Sequence, residues 1–153
     1  MSLVRIQTED FDSGLLNQHL RQLSAGRAGA QVSFIGYVRD HAEHMQTASL
    51  YLEHYPGMCE REIHALCAHA KQRWDILDTV VVHRVGELQL TDQIVYVGVS
   101  SAHRSAAFHA CEFIMDTLKT QAPFWKRETL KDGQQFWVEQ RDSDAEKTAH
   151  WLA

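Results

Sequence analysis

Positive charge gathers in one short stretch of an acidic chain. Residues 118–131 hold Lys119, Lys126, Arg127 and Lys131 against Glu128 alone, while the whole chain carries a net charge of −5. Within it, LKTQAPFWKRE sets Phe124 and Trp125 between the two lysines. Lysine favours water and large aromatics favour burial. The segment is therefore either an ordinary helix end or a lined pocket with charged walls. Charge this concentrated fits a local anion site better than a broad basic face.

A second cationic group stands at SSAHRS. Ser101 can cap a helix, which places His103 and Arg104 in its first turn. Cations are unfavourable there, because a helix N-terminus is already partly positive. An anion such as phosphate would resolve the conflict by collecting the free N–H groups and both side chains; contact with water or a nearby carboxylate would also do so. Arg39 closes a strand-like segment and opens a polar loop, and reads as either a ligand contact or a solvated arginine. His41 with His44, and Glu60 with His64, have pair spacing for a metal but find no third ligand, so no metal is expected. No glycine-rich phosphate loop, nucleophile elbow or dinucleotide fingerprint occurs.

The elements must position these groups. Ala107, Cys111, Ile114 and Leu118 mark the core face of a long helix over about 102–121. Lys119 falls at the margin of that face, beside Met115 one turn earlier, as a snorkelling or a functional lysine. Pro123 stops the helix near Ala122; Phe124 and Trp125 then pack back, and Lys126 returns toward Lys119. Arg104 and Lys119 lie about 22 Å apart along one helix. If both serve one small ligand, two copies of the chain must share the site. Elsewhere, 12–23 and 56–74 read as helices. Segments 30–38, 48–54, 79–85, 93–100 and 134–140 read as strands, the first two as an antiparallel pair. The tail reads as a short helix or a frayed end. The order suggests an α+β domain, mainly antiparallel, with helices on one side.

Bulk properties agree with a single domain over 1–153. The 153 residues are 44% hydrophobic and 23% charged, a globular balance. No apolar run reaches the roughly 20 residues that span a bilayer, and MSLVRIQTEDFD lacks a signal-peptide core, so a cytoplasmic location is expected. Cys59, Cys67 and Cys111 form no CxxC pair and read as reduced core thiols. Net negative charge argues against a general binder of nucleic acid or anionic membrane.

LEHYPGM (52–58), HRVGEL (83–88), VGVSSAHRSAAF (97–108) and FIMDTLKTQAPFWKRE (113–128) together resemble the large, catalytic subunit of molybdopterin synthase, over about residues 30–141. The resemblance implies an α/β-hammerhead fold and a homodimer at the centre of a heterotetramer. It implies a small ubiquitin-like sulfur-carrier subunit whose Gly-Gly end bears a thiocarboxylate. The implied sulfurtransferase reaction puts two sulfurs into cyclic pyranopterin monophosphate, making the molybdopterin dithiolene, with no cofactor of its own. Lys119 and Lys126 match catalytic lysines. Arg39, His103 and Arg104 match anion- and substrate-binding positions, with Tyr37, Val38, Arg127, Glu128 and Arg141 in the same substrate-binding group. Phe34 and Met115 match pocket-lining residues, and Phe124 and Trp125 are expected to complete a channel wall. Glycine's lack of a side chain suits a tail threading such a slot. The rival readings are a non-catalytic receptor for the Gly-Gly tail and a single-strand nucleic-acid binder stacking bases on Phe124 and Trp125.

Overall fold

The computed structural model describes residues 1–40, 47–138 and 142–152. Its elements run β1 (Ser2–Gln7), α1 (Ser13–Leu23), β2 (Ala30–Tyr37), β3 (Thr47–His54), α2 (Met58–Arg73), β4 (Thr79–Arg84), β5 (Gly86–Gln89), β6 (Gln93–Ser101), α3 (Arg104–Gln121), β7 (Phe124–Leu130), β8 (Gln135–Val138) and α4 (Asp142–Leu152).

Two four-stranded sheets organise them. The first has the order β1-β4-β6-β2 and is antiparallel except for the parallel β1–β4 pair. Its central strands carry the runs VVV and VYVGV, which suit a sheet covered on both faces. Val80, Val82 and Tyr96 meet Leu16 and Leu20 of α1 on one face. Val81, Val95, Val97 and Val99 meet Ile63 and Cys67 of α2 and Ile114 and Leu118 of α3 on the other. The helices thus pack on both faces, not on one side as the sequence order suggests. Residues on alternate faces of β4 are equally apolar, so both faces call for cover.

The second sheet has the order β5-β3-β7-β8, antiparallel throughout. The expected hairpin between 30–38 and 48–54 does not form. Those segments belong to different sheets, β2 pairing with β6 and β3 with β5 and β7. A register irregularity at Gly36/Tyr37 ends the β2–β6 ladder, and Val38 then bonds with Thr91 and Asp92. Three strands escape the sequence reading. β1 lies in a polar-looking start, β5 lies inside the expected connection GELQLTD, and β7 is the segment expected only to pack back. The final strand ends at Val138 among the described residues. The α3 helix does stop where Pro123 requires, with Ala122 already extended at ψ 134°. The tail forms α4, docked through the buried Trp151 against Trp74 and Phe113. Among the described residues no helix is long and apolar enough to cross a membrane.

Candidate active site

Helix α3 carries the first half of the site. His103, not Ser101, is its N-cap, with an extended backbone. Ser101 is the buried last residue of β6; its hydroxyl donates to the Asp75 carbonyl (2.7 Å) and accepts the His103 N–H (3.2 Å). His103 and Arg104 are exposed at the helix start, and the first turn contains no acidic residue. Ala107, Ala110, Ile114 and Leu118 are buried on its core face. The adjoining stripe of Phe108, Glu112, Met115 and Lys119 lines a cavity of about 400 Å³ with Val32 and Phe34 of β2 and Asp144 and Lys147 of α4. The Lys119 ammonium stands 3.9 Å from the Asp144 carboxylate.

Cys111 also lines this cavity. Burial, with help from the Glu112 charge, pushes its thiol up to about 12. It is protonated at neutral pH and points its Sγ at the Val97 carbonyl (3.6 Å), so a thiolate relay is not what this cavity is built for. All three cysteines are free and buried, as the sequence suggests.

Strand β7 carries the second half. Its pairing alternates the side chains, so neighbours in sequence face opposite sides. Phe124 stacks on the His83 ring, with centroids 4.0 Å apart and 15° between planes. Trp125 is exposed on the other face, opposite Glu53, and borders a separate depression with Glu53 and Trp137. Consecutive strand residues cannot share one wall, so Phe124 and Trp125 do not build the side of the Lys119 cavity; Phe34, Phe108 and Met115 do. Lys126 stands opposite Leu52 and Val138 and is not among the residues lining that cavity. The Arg127 guanidinium lies over the Tyr51 ring at 5.0 Å and the Trp137 ring at 5.9 Å. Glu128 is buried and accepts a hydrogen bond from the Thr47 hydroxyl.

His83 is buried beneath this strand. Burial, reinforced by the nearby Lys126 and His54 charges, lowers its pKa to about 4 despite the opposing hydrogen bond to the Arg84 carbonyl. It is a neutral imidazole at physiological pH.

One chain therefore joins Phe34, Met115 and Lys119 in a single cavity. It leaves Arg39, His103 and Arg104 exposed elsewhere and holds Lys126, Arg127 and Glu128 on the second sheet. Tyr37 is exposed, whereas Val38 is a core residue packed with Leu50, Leu52 and Leu88. Arg141, His41 and His44 lie outside the described residues. Glu60 accepts the Gly57 N–H (3.1 Å), so it caps α2. Phe108, Asp144 and Lys147 were missed from sequence. Phe108 had a signal: 108, 112, 115 and 119 recur at helical spacing beside the core stripe. Asp144 and Lys147 had none, because nothing in the tail reports where it docks.

Residues 6–121 match the family model described as MoaE protein. The molybdopterin synthase catalytic subunit of Haemophilus influenzae is 49% identical over 148 residues, covering 97% of this chain and 97% of its own length. The solved molybdopterin biosynthesis MoaE protein from Burkholderia ambifaria is 45% identical, with TM-score 0.84 over 100% of this chain and 99% of that one. Molybdopterin synthase from Staphylococcus aureus is 31% identical, with TM-score 0.79 over 88% of this chain and 95% of that one. Agreement over nearly every strand and helix, including those that frame the Lys119 cavity, shows that the chain belongs to the MoaE family, in which its curated relatives are named molybdopterin synthase catalytic subunits.

Proposed function

We propose that the chain is the catalytic subunit of a molybdopterin synthase, moving two sulfurs from a thiocarboxylated small subunit onto cyclic pyranopterin monophosphate. The observation that carries the reading is Lys119, an amine at the edge of a cavity of about 400 Å³ whose apolar wall is Phe34, Phe108 and Met115 and whose charged rim includes Glu112, Asp144 and Lys147. A slim acyl tail fits such an opening, and the amine meets its anionic end. The thiocarboxylate sulfur attacks a carbon of the pterin side chain; a C–S bond forms as a C–O bond at that carbon breaks, and the departing oxygen takes up a proton. The carrier is then joined to substrate through its acyl–sulfur bond. Water cleaves that bond, leaving sulfur on the pterin and a carboxylate on the carrier. An ammonium can pair with the thiocarboxylate, protonate leaving oxygen and stabilise the oxyanion of the cleavage step.

Lys126 completes the lysine pair in this reading. Arg39 of one chain, with the partner subunit's His103 and Arg104, holds the substrate phosphate; Tyr37, Arg127 and Arg141 border it. Val38 and Glu128 act from beneath, one fixing the strand end before Arg39 and the other fixing Thr47. The carrier is a ubiquitin-like protein ending in Gly-Gly, and the family name of a catalytic subunit itself calls for a further subunit. A homodimer at the centre of a heterotetramer satisfies the helix-length argument, because α3 is continuous from Arg104 to Gln121. The cytoplasm suits the three free thiols.

Mass spectrometry of the pterin after incubation with the thiocarboxylated carrier tests the reading. The expected product has gained two sulfurs, with the carrier returned as carboxylate. A carrier that binds tightly while the pterin gains no sulfur would make the chain a receptor and not an enzyme.

A further inference from the structure

We propose that Asp144 is a positioning residue for sulfur transfer, holding the Lys119 amine in the cavity from the opposite wall. The inference rests on Lys119 being the reacting amine. A lysine side chain has a long flexible stem, and Lys119 is 44% exposed, so the helix alone does not fix its tip. Among the described residues Asp144 is the carboxylate in ion-pair range of it, at 3.9 Å and only 17% exposed. Asp116, one turn before Lys119 on α3, is already committed, its carboxylate accepting the Trp151 indole N–H at 2.8 Å.

Asp144 owes its place to the docking of α4. Thr148, one turn further on, bonds through its hydroxyl to the Asp116 carbonyl (3.0 Å) and to the Thr120 hydroxyl (2.8 Å). Trp151 packs edge-on against Trp74 and Phe113, with centroids 5.4 and 5.7 Å away. The Arg73 guanidinium lies over those three rings and bonds the Trp151 carbonyl. A helix held this firmly presents Asp144 from a fixed base. The 3.9 Å separation is that of an ion pair and exceeds hydrogen-bond length. Asp144 thus orients the ammonium by charge and leaves its three N–H donors for the incoming thiocarboxylate.

The test is single-turnover sulfur transfer with saturating thiocarboxylated carrier, in wild-type and Lys119→Ala backgrounds. Asp144→Asn should slow turnover about three- to fivefold, the range a partly exposed ion pair supports. The carrier's KM and the melting temperature should not change. Asp144→Glu should restore most of the rate, and Asp144→Asn should add no loss once Lys119 is gone. Wild-type turnover by Asp144→Asn beside a slow Lys119→Ala would overturn this inference alone. A loss of equal size in both backgrounds, or one that Glu does not relieve, would make Asp144 structural and overturn it too. Wild-type turnover by Lys119→Ala would remove the reading on which it rests.

Discussion

His83 sits where a charge would be costly. It is sealed beneath Phe124, and its pKa is depressed by burial first and then by the Lys126 and His54 charges. In the unfolded chain a histidine takes up its proton near pH 6.5, whereas here the folded state does so only near 4. Between those values the unfolded state binds more protons, so stability falls as pH drops from 6.5 to 4, by on the order of 3 kcal/mol. His83→Phe keeps a ring against Phe124 and cannot take up a proton. Urea midpoints at pH 7 and pH 4.5 should therefore lie closer together in that variant than in wild type; an unchanged gap would show that His83 does not set the acid sensitivity. None of this was legible in HRVGEL, where the histidine gives no hint of its depth. Lys119 beside Met115 was legible, because both follow from counting turns on a helix whose apolar face is plain. Asp144 was not, since it reaches the site only through the docking of a distant Trp151.

The elements divide in the same way. Helices α1, α2 and α3 were legible from periodicity and from Pro123, and β4 and β6 were legible as strands from their apolar runs. The pairing of β2 was not. Its alternation identifies a strand but not a partner, and its register with β6 is a contact across more than 60 residues of chain, Ala30 opposite Ser101. Strand β5 is four residues long and hid in a connection. Strand β7 hid behind its own Lys126, Arg127 and Glu128, charged residues that strands favour little. That error matters for function. Read as a loop, FWKRE could fold both aromatics around Lys119; as a strand it sends Phe124 inward to His83 and Trp125 outward. The Lys119 cavity is therefore assembled from α3, β2 and α4, with β7 outside it.

At the scale of the whole molecule, a continuous α3 keeps Arg104 about 22 Å from Lys119. On the proposed reading a small pterin phosphate reaching both bridges two chains, with the partner subunit's Arg104 closing the site around Lys119. Mixing Arg104→Ala chains with Lys119→Ala chains should then restore part of the activity that each homodimer lacks, since some mixed dimers retain one intact site. No recovery after verified subunit exchange would place the whole site within one chain. In the proposed reaction the Lys119 amine performs the sulfur transfer and not merely the binding. Product formation by Lys119→Ala and Lys119→Arg, with thiocarboxylated carrier at saturation, tests it most directly. Both variants should fold, pair and bind carrier, because an edge lysine covers little core. Both should nevertheless lose turnover by at least about a hundredfold, the lower end for a positioned proton-transfer group, with arginine failing because it keeps its proton. Near-normal turnover by either variant would contradict the account and move the chemistry to Lys126.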